Sequence, residues 1–277
     1  MNHPRSLHGP IAFFDSGVGG LPYVEATRSV LPREGIAYLA DREGFPYGTK
    51  TREAVRDRVL VLIARFIRLV EPKAVVIACN TASQAALEEL RAAHPDIPVV
   101  GTVPAVKPAA ERTRSGIIGV MATSRAVEDP YLDRLVASHA AKVTVLREAA
   151  QDLVSFVEGR HSRATAEERR AAVEPYVRRM VAAGADEIVL ACTHFLHLTR
   201  EIAEVAGPGV EVVDSRDGVA RRLARVLDER GLLLPPDAAR PPDSFLLTGP
   251  LPFEESYGDF AAAFGFPPPA PLGGPPR

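Results

Sequence analysis

Residues Ala74–Ser83 read AVVIACNTAS, and their pattern is the clearest indication of the fold. Its apolar first half, which contains β-branched residues, is typical of a strand buried on both faces of a parallel sheet. Asn80 and Thr81 are residue types that begin helices, and Gln84–Ala93 is rich in strong helix formers. The sequence therefore predicts that Cys79 lies on the turn between a strand and a helix, where open α/β sheets bind ligands.

A second stretch repeats this pattern further along the chain. Glu187–His194 reads EIVLACTH, which is again an apolar strand followed by Ala-Cys and a polar turn, and a helical pattern follows from Leu198. Cys79 and Cys192 are the only cysteines among the 277 residues. The repeat predicts two equivalent strand–turn–helix units, each carrying one thiol.

Composition narrows the class of protein. A net charge of −2 gives no reason to expect nucleic acid or an anionic membrane as a partner. No apolar run approaches the ~18 residues that a membrane helix needs, and the first ten residues lack a signal-peptide core. Two cysteines without a disulfide framework suit a reducing compartment, so we expect a cytoplasmic protein.

Alternating strand and helix patterns run through the whole chain and predict an α/β fold. We expect two doubly wound parallel-sheet domains related by pseudo-symmetry, with the active site in the cleft between them. The first domain is predicted to be discontinuous, comprising 1–101 and 214–266 and carrying Cys79, and the second to comprise 102–213 and carry Cys192. The Pro- and Gly-rich segment 267–277 is predicted to be a disordered tail.

Several helices can be placed from periodicity and composition. The pattern predicts helices over Leu21–Val30, Thr51–Val70 and Thr165–Ala183, and a single helix over Ala126–Ala140. Leu153–Gly159 is mixed and gives no clear assignment. Helices of this kind would flank the sheets and leave the carboxyl ends of the strands open to a ligand.

Two loops carry polar groups beside predicted strands. Asp15–Gly20 reads DSGVGG, whose glycines would let backbone N–H groups approach an anion, although a tight turn with Asp15 as a helix cap explains it equally well. Pro46-Tyr47-Gly48 has turn chemistry, and Tyr47 would offer a hydroxyl donor to whatever the loop faces. A surface turn is the simpler interpretation of that second loop.

The two thiols allow several roles. A zinc site would need about four ligands, and only Cys192 and His194 are close in sequence. A redox pair, a Cys-His nucleophile and two inert core cysteines are further alternatives.

The symmetric arrangement of the two thiols suits one reaction better, namely inversion of a stereocentre. In that reaction one group removes a proton from one face of a carbon and another delivers a proton to the opposite face. A helix amino terminus would lower the thiol pKa and favour the required thiolate. A carbon held between both sulfurs predicts a gap on the order of 6–8 Å.

The four motifs DSGVGG, PYG, ACNTAS and CTH resemble, in order and approximate spacing, those of the cofactor-independent glutamate racemases. The resemblance runs from about residue 11 to 266. The related aspartate racemases usually carry Cys-Thr-Glu at the second cysteine, so His194 favours glutamate. The resemblance implies a racemase that uses no cofactor and no metal, and that supplies D-glutamate for peptidoglycan synthesis.

The resemblance also implies roles for individual residues. Cys79 and Cys192 would be the two bases, Cys79 acting on D-glutamate and Cys192 on L-glutamate. Asp15 would assist Cys79, while His194 and Glu158 would assist Cys192. The residues implied to surround the amino acid are Asp15, Ser16, Tyr47, Gly48, Asn80, Thr81, Thr123, Thr193 and His194.

Two stretches depart from the family pattern, and two other functions stay open. The family commonly continues Cys-Thr-His with Tyr-Pro where this chain has Phe195-Leu196, and has Asp-Ser-Gly where this chain has Asp214-Ser215-Arg216. The expected partner is the small-molecule substrate glutamate, and a homodimer is an arrangement that the resemblance allows. The alternatives are a racemase of another acidic amino acid, such as aspartate, and a racemase-like binding protein, for example an inhibitor of DNA gyrase.

Overall fold

The structure is a computed structural model that describes residues 7–273 of the chain. The described residues form two compact α/β units. The first comprises the chain up to Tyr47, then Thr51–Thr102 and the residues from Arg216 onward, and the second comprises Gly48–Lys50 and Val103–Ser215. Each sheet is parallel throughout, which confirms the predicted fold class of two parallel-sheet α/β domains. The domain limits given above stay a prediction.

The first unit contains a six-stranded sheet made of β1 (Ile11–Asp15), β2 (Ile36–Ala40), β3 (Ala74–Ile77), β4 (Val99–Gly101), β9 (Ser244–Leu247) and β10 (Ala270–Pro271). The strand order across this sheet is β10-β9-β2-β1-β3-β4. Its helices are α1 (Leu21–Val30), α2 (Arg52–Val70), α3 (Asn80–Ala93), α10 (Arg216–Glu229) and α11 (Glu255–Ala263), with 3-10 turns at Arg42–Gly44 and Tyr47–Thr49.

The second unit contains a four-stranded sheet made of β5 (Ile117–Ala122), β6 (Thr144–Ala149), β7 (Glu187–Leu190) and β8 (Glu211–Val213). The strand order across this sheet is β6-β5-β7-β8. Its helices are α4 (Val106–Arg112), α5 (Ser124–Glu128), α6 (Pro130–His139), α7 (Gln151–Gly159), α8 (Ala166–Ala182) and α9 (Thr199–Ala206), with 3-10 helices at His161–Arg163 and Thr193–Leu198.

The two sheets share one topological feature that positions their functional residues. In the first sheet β1 lies between β2 and β3, and in the second β5 lies between β6 and β7. The strand order therefore reverses beside β1 and beside β5, and in open α/β sheets ligands bind outside the carboxyl ends of the strands at such a point. Cys79 follows β3 and Cys192 follows β7, so each thiol lies beside the reversal of its own sheet.

Apolar burial explains why these strands form. All five residues of β1 and all four of β3 are buried, as expected for parallel strands covered by helices on both faces. Helix α2 buries Val55, Val59, Leu62, Ile63 and Phe66 along one side, which is the spacing of an amphipathic helix. The predicted bounds of α1 are confirmed, and α2 begins one residue after its predicted start because Thr51 caps it through Ala54 N–H.

The predicted helix over Ala126–Ala140 is wrong in one respect, since the chain forms two helices there. Helix α5 ends at Glu128 and α6 begins at Pro130. Proline disfavours helical geometry at the residue before it, and Asp129 has an extended conformation with its side chain accepting Tyr131 N–H at 2.9 Å. The Asp-Pro pair thus ends one helix and caps the next.

The tail prediction is also wrong for the part that the structure describes. Ala270–Pro271 forms β10 and pairs in parallel with β9, and Leu272 N–H donates to Leu247 O at 2.8 Å. Leu272 is buried in the same core cluster as Phe66. The physical reason is that strand β9 offers an unpaired edge that this segment covers. Residues 274–277 lie outside the described residues.

Within residues 7–273, no helix combines the length and the apolar character needed to cross a membrane.

Candidate active site

Cys79 lies at the amino end of a fourteen-residue helix. It has an extended backbone and caps α3, and its Sγ accepts Ala82 N–H at 3.5 Å. The residue is only 4% exposed. Positive charge at a helix amino terminus stabilises a thiolate relative to a thiol, so this position favours the thiolate, the form that can accept a proton.

A carboxylate and a hydroxyl lie next to this thiol. Asp15 is the last residue of β1 and is fully buried, and its Oδ1 accepts Gly17 N–H at 2.7 Å. The hydroxyl of Ser16 donates to Asp15 Oδ1 at 3.4 Å, and the Cys79 thiol lies 3.9 Å from the same hydroxyl oxygen. Ser16 therefore connects the predicted base to the acid that was expected to assist it.

The first turn of α3 presents a polar acceptor. Asn80 and Thr81 are both buried at the helix start, beside Cys79. Within residues 7–273 the Asn80 Oδ1 atom has no hydrogen-bond partner. A buried amide oxygen left unpaired is costly, and a ligand with an ammonium group would satisfy it.

Tyr47 is held by a buried carboxylate that the sequence analysis missed. Its hydroxyl donates to Asp41 Oδ2 at 2.6 Å, and Arg58 and Thr248 also donate to Asp41. Tyr47 is 1% exposed and Asp41 is fully buried. The hydroxyl proton of Tyr47 is thus used within the protein, which differs from the expectation that it would be offered to a ligand.

The charges around Asp41 are balanced by this network. Burial raises the pKa of Asp41, but the hydrogen bonds from Arg58, Thr248 and Tyr47, together with the Arg58 charge, lower it below its usual value. Burial, followed by the Asp41 and Cys79 charges, raises the pKa of Tyr47 well above its usual value. Tyr47 is therefore neutral and Asp41 ionised. The signal that could have found Asp41 is its position directly after buried strand β2, the neighbour of β1.

Cys192 has a different local setting from Cys79. It precedes a 3-10 helix, Thr193–Leu198, and its side chain accepts no capping hydrogen bond. It is 5% exposed. The prediction of a helix amino terminus at both cysteines is confirmed only in part here, because six residues of 3-10 helix come before α9. Phe195 and Leu196, which depart from the family pattern, are both buried in this 3-10 helix.

His194 and Glu158 supply the polar partners of this second thiol. His194 Nδ1 lies 4.0 Å from Cys192 Sγ, and His194 Nε2 lies 2.8 Å from Glu158 Oε2. Both partners are buried, and Glu158 is on α7, a segment without a clear assignment from its sequence. The structure thus joins Cys192, His194 and Glu158 in one line of contacts.

The protonation of His194 follows from these contacts. Burial by itself lowers the pKa of His194, but the hydrogen bonds to Cys192 and Glu158 and the negative charges of both partners raise it well above its usual value. A protonated imidazole between a carboxylate and a sulfur stabilises the thiolate form of that sulfur. His194 thus places a positive charge beside Cys192, as the helix terminus does beside Cys79.

The remaining predicted site residues, like those above, each belong to one of the two compact units. Thr123 and Thr193 are buried in the second unit, where Thr123 caps α5 by accepting Ala126 N–H at 3.2 Å. Gly48 lies against Thr123, because a Cβ on Gly48 would be 2.7 Å from Thr123 Cβ. The predicted residues therefore form two sets, one in each compact unit. Their joint action on one ligand stays a prediction.

Among the described residues, no three or more His, Cys, Asp and Glu side chains form a group that could hold a metal ion.

Comparison with known families gives a consistent result. A family model described as Asp/Glu/hydantoin racemase matches residues 23–223. The chain is 45% identical over 235 residues to a glutamate racemase of Sphingopyxis alaskensis, covering 82% of this chain and 85% of that protein.

Solved structures show the same likeness. The structure of Escherichia coli glutamate racemase in complex with L-glutamate and the activator UDP-MurNAc-Ala superposes with a TM-score of 0.83 at 30% identity, covering 95% of this chain and 98% of that one. Glutamate racemase from Francisella tularensis in complex with D-glutamate gives 0.77 at 25% identity, with 94% and 95% covered.

Proposed function

Because the chain belongs to the Asp/Glu/hydantoin racemase family, we propose that it works as a two-base racemase whose bases are Cys79 and Cys192. The chain interconverts L-glutamate and D-glutamate, in agreement with its curated relatives and structural neighbours. It is therefore an isomerase. The assignment of roles to individual residues is the part that we propose.

Racemisation needs two proton transfers at one carbon. One thiolate removes the Cα proton and becomes a thiol, and the electron pair left behind is delocalised into the α-carboxylate. The opposite thiol then gives its proton to the other face of Cα and becomes a thiolate. Atoms and charge balance without an oxidant or a cofactor, and the enzyme returns to its starting state when the two sulfurs exchange a proton with water.

Asp15 and Ser16 serve the first base. The 3.9 Å contact from Cys79 to Ser16, and the contact from Ser16 to Asp15, support a path that orients the thiol and its proton. The helix terminus supplies the positive field that a thiolate needs.

His194 and Glu158 serve the second base. Glu158 holds His194 in its protonated form, and His194 stabilises the thiolate of Cys192. We place Glu158 as a positioning residue, since its contact is with His194 and not with the sulfur.

One observation carries this proposal. Cys79 and Cys192 follow topologically equivalent strands, beside the strand-order reversal of their own sheets, and each has its own buried polar partner. A hydrolase with a single Cys-His nucleophile would not need the first of these two thiols. Inert core cysteines would not need the polar partners.

The decisive experiment follows both enantiomers. The purified protein is incubated with L- or D-glutamate in heavy water containing EDTA, and chirality and deuterium at Cα are measured. We expect both enantiomers to racemise and to take up deuterium, while a Cys79→Ser, Cys192→Ser double variant does neither. Absence of deuterium uptake by the wild-type protein would reject the proposal, and aspartate in the same assay tests the alternative substrate.

The cellular role is proposed on the same basis. We propose that the chain acts in the cytoplasm and supplies D-glutamate for peptidoglycan synthesis, a role consistent with its family. We also propose that each compact unit corresponds to one of the two predicted domains. The chain should restore growth without D-glutamate to a strain that lacks its own racemase, and the double cysteine variant should not. A binding protein would retain its effect in the double variant. Analytical ultracentrifugation tests the homodimer.

A further inference from the structure

Gln151 is a polar residue at the ligand-binding edge of the second sheet. It follows strand β6 after one residue and opens helix α7. Strand β6 adjoins β5, whose carboxyl end leads into Thr123. Gln151 therefore lies at the same end of the sheet as Thr123 and Cys192, where ligands of open α/β sheets are bound.

The carboxamide of Gln151 is buried and unsatisfied. The residue as a whole is partly exposed, yet both its Nε2 and its Oε1 atoms are buried, and neither has a hydrogen-bond partner among the described residues. Most buried side-chain polar atoms in proteins are paired, and leaving one unpaired is unfavourable. A buried amide with both ends unpaired therefore points to a polar ligand as its partner.

The surroundings of this amide are shaped for close approach. Any Cβ on Gly48 would collide with Gln151 Oε1 and would lie 2.7 Å from Thr123 Cβ. Only a glycine leaves the carboxamide room at this place. Gly48 and Thr123 are both among the residues that the family resemblance places around the amino acid, whereas Gln151 is not.

We propose that the Gln151 carboxamide donates a hydrogen bond through its N–H groups to a carboxylate of bound glutamate. The inference rests on the proposed function, because it needs an acidic amino acid as the ligand. Glutamate has two carboxylates, each of which requires donors once it leaves water. Gln151 is thus proposed as a further substrate-binding residue.

Stability and binding should move in opposite directions when the amide is removed. In the Gln151→Met variant an unpaired buried amide is replaced by an apolar chain of similar length, so the ligand-free protein should unfold at the same or a higher temperature. The KM for both enantiomers should rise about 10-fold, the loss expected for one hydrogen bond to a charged group, with little change in kcat. A glutamine with a merely structural role would lower the unfolding temperature and leave KM unchanged.

A charged variant identifies which carboxylate is bound. In Gln151→Glu, KM for glutamate should rise by more than 100-fold because two carboxylates then face each other. Glutamine, whose side-chain amide can donate to the new carboxylate, should become a better competitive inhibitor if the side-chain carboxylate is the partner. Isoglutamine, the α-amide, should improve instead if the α-carboxylate is the partner. Improvement of neither compound would reject direct contact.

The controls separate this inference from the proposed function. Ser155→Ala changes an exposed position on the same helix and should leave KM, kcat and unfolding temperature as in the wild type. If the wild-type protein does not racemise glutamate, the proposed function fails. If it does, and KM of both Gln151 variants stays within twofold of the wild type, only the role of Gln151 is overturned.

Discussion

His194 Nε2 lies 2.8 Å from Glu158 Oε2, while its other ring nitrogen lies 4.0 Å from Cys192 Sγ. The imidazole thus bridges a carboxylate and a thiol, both buried. A cation in this position lowers the free energy of the thiolate, and the carboxylate keeps that cation protonated. The second base depends on this pair in the way that the first depends on its helix terminus.

Glu158→Gln should therefore slow one half-reaction selectively. The two enantiomers have equal free energies, so kcat/KM must fall equally in both directions and cannot show the asymmetry. Elimination of chloride from threo-3-chloroglutamate needs only the first proton abstraction and reports on each base separately. We expect elimination from the L-configured isomer to fall about 10-fold or more, with the D-configured isomer nearly unaffected. Glu167→Gln, at an exposed position on α8, is the matched control. Equal loss with both isomers would contradict a role confined to Cys192.

The same assay separates the two cysteines. Cys79→Ser should abolish racemisation yet still eliminate chloride from the L-configured isomer, because Cys192 remains. Cys192→Ser should show the opposite preference, since a serine hydroxyl is a far poorer base near neutral pH. Both variants favouring one isomer would refute the two-base mechanism. An exchange of the two preferences would overturn only the assignment of faces, which rests on the family resemblance.

The raised pKa of His194 predicts a pH dependence of stability. The folded protein binds this proton more tightly than the unfolded chain, whose histidine has a pKa of about 6.5. The stabilisation is fully present below that pH and is lost as pH rises through the folded-state pKa. The free energy of unfolding from urea titrations should decline over this range in the wild type, and the decline should be smaller in His194→Asn. Parallel pH profiles of the two proteins would show that His194 does not titrate as described.

We expect the Asp41 carboxylate to contribute more to the free energy of unfolding than the Tyr47 hydroxyl that donates to it. Asp41→Asn removes the charge of a buried carboxylate to which Arg58, Thr248 and Tyr47 donate, and should cost on the order of 3 kcal/mol of unfolding free energy. Tyr47→Phe removes one hydrogen bond and should cost about 1–3 kcal/mol. The depressed pKa of Asp41 makes its contribution complete above pH ~4 and lost as pH falls through the folded-state pKa. Urea titrations of both variants test the order, and equal losses would contradict it.

The two thiol sites were predictable because their signals are local. A buried β-branched run followed by Ala-Cys and cap residues specifies a strand, a turn and a helix start within about ten residues. The same holds for α1, whose bounds were predicted correctly. His194 was found because it is two positions from Cys192.

Other features depend on residues far apart in the chain. Asp41 directly follows a buried strand, but its partners Arg58 and Thr248 lie 17 and 207 positions away in the sequence. Gln151 stands out only because both its polar atoms are buried without partners. The break at Asp129 was overlooked although its signal is local, because the apolar periodicity continues across it.

The C-terminal strand has a practical consequence. The Pro- and Gly-rich composition of residues 267–277 suggests that they could be removed. Their removal would delete two hydrogen bonds, one from Leu272 N–H to Leu247 O and one from Arg65 to Leu272 O at 2.8 Å. Strand β9 would then present its backbone N–H and C=O groups to solvent along an open edge. Such edges recruit strands from other molecules, so the shortened protein should form insoluble aggregates during expression.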